Sequence, residues 1–362
     1  MHSLRLIGKL TELTAGRPDW IEESALPGHA FETIDGERQR THLLYSADLC
    51  QRVLADEQHF EVSPLAVNVR KLGEHLDLEI HHSAAFLEDN PIQLSGDEHA
   101  ARRREFLRAY AVTLRRLAPR LEGVAREHFA RLSQQPPHKL AQDVVEPYID
   151  TIVRQAMAAT DSSVGASYRA LTRDTATLFE PIHHPRRIQR KSREIADFLH
   201  AADTAGAASP DDNIRLSYAL QGREPMVSAL TGYLKRLLGC DETERQQLLA
   251  DIQTTELFRK GAPVNYISRL ASADVKLDEL EIARGDSVIL MLPWASSDAT
   301  AGNRGIAFGS GSHSCAGQAL ALAITTPFLV VLREAFASID WSQLAAAVAA
   351  PGVFRHYGDQ PR

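Results

Sequence analysis

Ten residues carry the types and spacing that chemistry would need: Phe308-Gly309-Ser310-Gly311-Ser312-His313-Ser314-Cys315-Ala316-Gly317. A helix-forming run over 318–336 follows at once, so the Cys315 thiol is expected at or just before a helix N-terminus. There the free backbone N–H groups and the positive end of the dipole favour thiolate over thiol. Glycines at 309, 311 and 317 let the backbone bend sharply and approach a flat object closely. A thiolate presented in this way suits an axial ligand to haem iron, where electron donation favours O–O cleavage. A structural zinc site needs four ligands, and only His313 lies near the cysteine. A small buried cysteine without chemistry is the bland alternative, and it leaves the surrounding pattern unexplained.

Other residues have suggestive spacing but are common singly. His99 and Arg103 lie one helical turn apart, and Glu256 and Arg259 three apart on a short helix, hence on one face. Taken alone, each set reads as a solvated face or an ion pair. The run Gln221-Gly222-Arg223-Glu224-Pro225 interrupts a strongly apolar helix. Proline has no N–H, so the Gln221 carbonyl should lose its partner and the helix should kink beside Gly222. A freed carbonyl and the Gln221 amide could then hold water or a polar substrate.

The elements that must position these residues are mostly helical. A hairpin is expected over 31–45, turning at Asp35-Gly36, followed by a short helix over 47–55 capped by Ser46. Residues 62–97, with Pro64, Gly73, Pro91 and Gly96, read as an irregular functional loop. Helices are expected over 98–117, 121–132, 141–159, 167–179 and 187–202, with breaks near Pro181 and Pro185. The run 213–238 is apolar on nearly every face and should cross the middle of the fold. Short helices over 242–251 and 254–260 precede strands over 264–270, 275–277 and 287–292. Mostly helix with a small sheet at one end is an α+β arrangement.

The net charge of −7 argues against a nucleic-acid partner. Three scattered cysteines suit a reducing cytoplasm rather than a disulfide scaffold. The first residues contain no apolar run long enough for a leader or anchor, so no membrane is expected.

The ten-residue stretch resembles the haem-binding loop of the cytochrome P450 family, every fixed position of Phe-Gly-x-Gly-x-His-x-Cys-x-Gly being present. The resemblance implies one domain over 1–362, a triangular helical prism with small sheet regions. It implies haem b between the central helix and the cysteine-loop helix, with Cys315 as iron ligand and Phe308, Gly309 and Gly317 against the cofactor. His99, Arg103, Arg269 and His313 match the family's propionate partners by position, and Glu256 with Arg259 its structural Glu-x-x-Arg pair. The implied activity is oxidation of a small organic, secondary-metabolite substrate. Dioxygen would be the oxidant, and electrons from NAD(P)H would arrive through a ferredoxin or flavin partner.

Two departures stand out against that family. The central helix has Gln221, Gly222, Glu224 and Pro225 where monooxygenases show Ala-Gly-x-Asp/Glu-Thr, so the alcohol of the proton-delivery pair is replaced by proline. Proton relay through water and Glu224, peroxide-driven turnover, and non-oxidative isomerisation or dehydration all stay open. So does a non-catalytic accessory role, although such relatives generally lose the cysteine loop. The segment 296–307 is shorter than usual, with Arg304 as the sole candidate to complete the Glu-x-x-Arg network. Arg102, Arg104 and Arg108 should face an acidic redox partner. The basic run over 183–193 could steer an anionic or carrier-tethered substrate. Segments 64–96, 218–224, 264–265 and the turn at Val353 match the family's substrate contacts, and few aromatics there suggest a partly polar substrate.

Overall fold

The computed structural model describes residues 2–16, 29–36, 39–159, 164–180, 183–206, 211–251, 253–298, 306–345, 347–350 and 353–359. Arg304, Pro181 and most of the short segment before the cysteine loop lie outside them. The hairpin forms as the alternation demands: β1 (Phe31–Ile34) pairs antiparallel with β2 (Thr41–Leu44). The Ser46 hydroxyl accepts the Leu49 N–H at 3.3 Å and starts the helix Ala47–Ala55. Further strands are β3 (Phe60–Val62), β4 (Ile267–Ala271), β5 (Val275–Leu277), β6 (Leu280–Ile282) and β7 (Ser287–Leu290). Their main sheet runs β1-β2-β7-β4-β3, so distant segments meet at one end of a mostly helical α+β chain. The strand expected over 264–270 begins only at Ile267, and Val264 makes an isolated bridge to Phe354.

Residues 62–97 are not an irregular loop. They form helices Leu65–Leu76 and His81–Glu88 and a short turn Pro91–Gln93. Gly73 reads as a breaker but is a packing requirement: a Cβ there would lie 2.3 Å from Ile80 Cγ1. The helices expected over 98–117 and 121–132 are one, Gly96–Gln134, passing through Pro119. Leu117, Leu121, Ala125 and Phe129 continue a buried stripe at four-residue spacing across the proline, and packing outweighs the missing hydrogen bond. The run 141–159 opens as a π turn, Leu140–Val145, before Glu146–Ala156. The run 167–179 divides into Gly165–Leu171 and Thr175–Leu178, around Asp174 at φ +51°.

The central helix is also divided. Asp212–Ser217 leads into a π turn, Tyr218–Arg223, and then Glu224–Gly239. The wider turn places Pro225 in the first turn of the next α segment, where a missing N–H costs little. The expected break is therefore a π turn rather than a kink in an α-helix. The cysteine-loop helix, Gln318–Ala335, buries Leu320, Ile324, Phe328 and Leu332. It is the one described segment, with the turn after it, long and apolar enough to cross a membrane, and here it packs along Gly96–Gln134.

Buried His128 donates from Nε2 to the Val144 carbonyl at 2.6 Å, and burial pushes its pKa down to about 4. Between pH ~6.5 and ~4 the unfolded imidazole takes a proton that the folded one refuses, so stability falls as pH falls through that window. The expected contribution is roughly 2–4 kcal/mol. Urea unfolding at pH 7 and pH 4 should show His128→Gln losing that much less stability than wild type on acidification. Equal losses would show that His128 does not drive acid sensitivity.

Candidate functional site

Hydrogen bonds fix the cysteine loop. Gly309 N–H donates to Ile306 O at 2.8 Å, Ser314 N–H to Gly311 O at 3.2 Å, and Cys315 N–H to Phe308 O at 2.7 Å. Gly309 and Gly311 have φ of +71° and +70°, and a Cβ on Gly311 would lie 2.7 Å from the Leu54 carbonyl oxygen. Only glycine fits that close, left-handed approach. The Cys315 sulfur receives the N–H groups of Gly317 and Gln318, just ahead of the helix. These donors and Arg103 favour the thiolate, but burial dominates and pushes the thiol pKa up. The expected preference for thiolate is thus corrected: the helix end supplies the donors, and burial outweighs them in the protein alone.

Cys315 opens onto a cavity of about 340 Å³. Phe308, Gly309, His313, Gly317 and Leu320 border it from the loop side, and Gln221, Gly222, Pro225 and Met226 from the central helix. His99, Arg103, Arg269 and His313 all line it. His99 and His313 stack with centroids 3.9 Å apart and planes at 17°. Buried His99 leaves Nε2 without a hydrogen-bond partner. Arg103 donates to Ser314 Oγ at 3.1 Å, and Arg269 to the Ser268 carbonyl at 2.9 Å. Neither has an ion pair among the described residues. Burial lowers the pKa of His99, brings Arg269 down to about 10, and brings His313 down to about 4. Two guanidinium groups, Arg103 and Arg269, held at such a cost beside an open cavity are short of carboxylates, and burial keeps the two imidazoles beside them neutral. The two propionates of a haem are carboxylates of that kind, and a sulfur at the cavity floor is the matching iron ligand. The residues present fit the group.

The central helix differs from expectation. Glu224 does not border the cavity; its carboxylate pairs with Arg223 at 3.2 Å and is buried. Arg223 also holds Asp150 at 2.6 Å and Glu146 at 2.9 Å, so this cluster fixes Glu224 away from the cysteine. Proton relay through Glu224 therefore has no geometric support. Nor is the Gln221 amide free for substrate. Gln221 Nε2 donates to Asn90 Oδ1, and Asn90 Nδ2 to Gln221 Oε1, each at 3.2 Å. This pair ties the segment after His81–Glu88 to the roof of the cavity. Asn90 and Arg223 were not singled out from sequence, because Gln221 lies 131 residues from Asn90, and Asp150 and Glu146 lie 73 and 77 residues from Arg223.

Glu256 and Arg259 form a two-pronged pair, Nε–Oε1 and Nη2–Oε2 both at 2.8 Å, and Arg259 reaches the Ser296 carbonyl at 3.5 Å. Arg102 is no docking residue: it is bound by Asp89, Glu105 and Asp211 and only 12% exposed. Arg104 and Arg108 are exposed. The basic run 183–193 is largely neutralised. Arg187 pairs with Asp174 and Glu180, Arg190 with Asp174, Arg193 with Glu79, and fully buried Lys191 with Glu194. Steering of an anion by that run is not supported. The cavity also corrects the expectation of a polar, aromatic-poor lining. Eight aromatic residues border it, including Phe106, Tyr110, Phe179, Phe258 and Phe354. Of the expected segments, Leu65, residues 90–93, Tyr218, Gln221, Gly222, Val264 and Val353 line it, but Asn265 does not.

The cysteine loop and a divided central helix face each other across this cavity in a mostly helical α+β protein. Solved structures are similar to this fold over nearly the whole chain. P450BioI, in complex with acyl carrier protein ligated to hexadec-9Z-enoic acid, matches with a TM-score of 0.71 at 13% identity, covering 91% of this chain and 94% of that one. The cytochrome P450 PksS of the Bacillus subtilis bacillaene polyketide synthase matches at 0.69 and 18%, covering 92% of each. CYP109E1 from Bacillus megaterium, in complex with testosterone, matches at 0.69 and 16%, covering 92% and 93%. No family model and no curated protein matches the sequence. The chain has the cytochrome P450 fold.

Proposed function

We propose that this chain is a member of the cytochrome P450 family, a haem-thiolate monooxygenase acting on a small, largely apolar organic substrate. The observation that carries the reading is Cys315, with two backbone N–H groups on its sulfur, facing a cavity lined by Arg103 and Arg269, neither of which has an ion pair among the described residues. Cys315 would ligate the iron. His99, Arg103, Arg269 and His313 would hold the propionates, and Phe308, Gly309 and Gly317 would pack against the ring. When bound, haem b supplies oxidative chemistry with dioxygen or peroxide. Glu256 and Arg259 would brace the segment leading to the cysteine loop. Electrons from NAD(P)H would arrive through a ferredoxin or flavin partner in the cytoplasm, with Arg104 and Arg108 as the available cations. A carrier-tethered substrate belongs to this reading, since one protein of this fold is seen with acyl carrier protein. The test is the carbon monoxide difference spectrum of the reduced protein. A thiolate-type band is expected, and stoichiometric haem without it would overturn the reading.

Peroxide-driven turnover is a second reading, favoured by one observation: the central helix places neither a carboxylate nor an alcohol at 224 and 225 toward the cavity. Pro225→Thr should therefore restore a proton donor. The hydrogen peroxide released per NAD(P)H oxidised should fall severalfold in the variant with a reconstituted redox partner. Identical coupling in the two proteins would remove Pro225 from the argument.

A further inference from the structure

One carboxylate approaches the arginine side of the cavity from outside. Glu57 is exposed and does not border the cavity. It sits in a tight turn between the helix Ala47–Ala55 and β3, where Phe60 N–H donates to Asp56 O at 3.1 Å and His59 N–H to Asp56 Oδ1 at 3.1 Å. Ser272, just past β4, fixes the turn: its hydroxyl donates to Gln58 O at 3.1 Å and its N–H to His59 O at 2.9 Å. The same segment is pressed onto the cysteine loop. Gly311 packs against the Leu54 carbonyl, and the Ser312 hydroxyl donates to the Glu57 carboxylate. Ser312 is the chain neighbour of His313, which stacks on His99. β3 pairs with β4 so that Val62 lies opposite Arg269. Glu57 is the carboxylate whose field reaches His99, Arg269 and His313 alike. Of the three, only Arg269 is charged at neutral pH, because burial keeps both imidazoles neutral.

We propose that Glu57 is a stand-in counter-charge: it supports Arg269 in the haem-free protein and weakens retention of haem once the propionates are in place. This rests on the reading of the cavity as a haem site and adds a residue outside it that sets how firmly haem is held. The two effects have opposite signs. Without haem, Glu57 supplies part of the negative charge that buried Arg269 lacks. With haem, the propionates supply that charge, and Glu57 becomes a like charge beside them.

The test is Glu57→Gln, which keeps an acceptor for the Ser312 hydroxyl and removes only the charge. At low ionic strength the haem-free variant should melt about 1–2 °C below wild type, the shift of a solvent-screened charge pair. The haem-loaded variant should lose haem to a scavenging apo-globin more slowly than wild type, by roughly two- to fivefold. Both differences should shrink at high salt, since the screening length is only about 3 Å at 1 M. In an Arg269→Leu background, Glu57→Gln should leave the haem-free melting temperature unchanged, because the charge it supports is gone. A residue that merely held the loop through Ser312 would move stability and haem retention in the same direction. Haem loss that is equal or faster in Glu57→Gln overturns the proposal. So does a haem-free melting temperature that does not fall, or a fall that survives in Arg269→Leu. The carbon monoxide band reads the axial sulfur, whereas haem loss reads charge beside the propionates. Wild type with haem but no thiolate-type band fails the family reading, and wild type with the band but no Glu57 effect fails only this proposal.

Discussion

Cys315→Ala protein, reconstituted with haem b, is expected to lose the thiolate-type carbon monoxide band completely while its haem-free form keeps the wild-type fold and melting temperature. The loss should be total because neither of the other two thiols can substitute. Cys50 is buried among β2, the helix Ala47–Ala55 and the sheet, with its thiol on the Leu44 carbonyl at 3.6 Å. Cys240 is buried at the far end of the central helix, donating to Leu237 O at 3.2 Å. The haem-free protein should tolerate the change because the loop is held by backbone bonds, Cys315 N–H to Phe308 O among them, and alanine keeps these. Burial also disfavours the charged thiolate, so removing the sulfur discards no stabilising charge. A band of nitrogen-ligated type would point to His313 or His99 moving onto the iron. A persistent thiolate band in Cys315→Ala would end the assignment.

Much of this site was legible in sequence because its key parts are local. The cysteine loop spans ten residues whose glycines, thiol and helix start are contiguous, and His99–Arg103 and Glu256–Arg259 are single-turn spacings. What was not legible depends on distant partners. Glu224 looked free for proton delivery because nothing nearby shows that Arg223 gathers Glu146 and Asp150 from another helix. Arg102 and the run over 183–193 looked like docking surface for the same reason. Charge counts along a chain do not reveal the carboxylates that tertiary packing brings opposite, and those partners decide whether a cation is available. Pro119 and Gly73 misled in a related way. Both weaken isolated helices, yet an apolar stripe through one and a side chain seated on the other make the helices favourable in the folded chain.

The two buried arginines therefore differ in kind, and the second large effect follows from that difference. Arg223 has three carboxylates in reach, and its charged form is stabilised in the interior. Arg269 is as well buried but has only a neighbouring carbonyl and the field of Glu57, and burial brings its pKa down to about 10. At neutral pH it stays charged in both folded and unfolded states, so holding it costs the haem-free protein about 3 kcal/mol, a penalty relieved only as pH rises above ~10. Arg269→Leu should consequently melt a few degrees higher than wild type when free of haem. The same substitution should weaken haem binding by ~10² or more, since it leaves a propionate buried without its cation. Arg223→Leu should do the reverse to the haem-free protein, lowering its melting temperature by stranding three carboxylates. Melting curves of the haem-free proteins and the rate of haem loss to a scavenging apo-globin measure both sides. If Arg269→Leu melts lower than wild type and keeps its haem, the arginine serves the sheet rather than the cofactor.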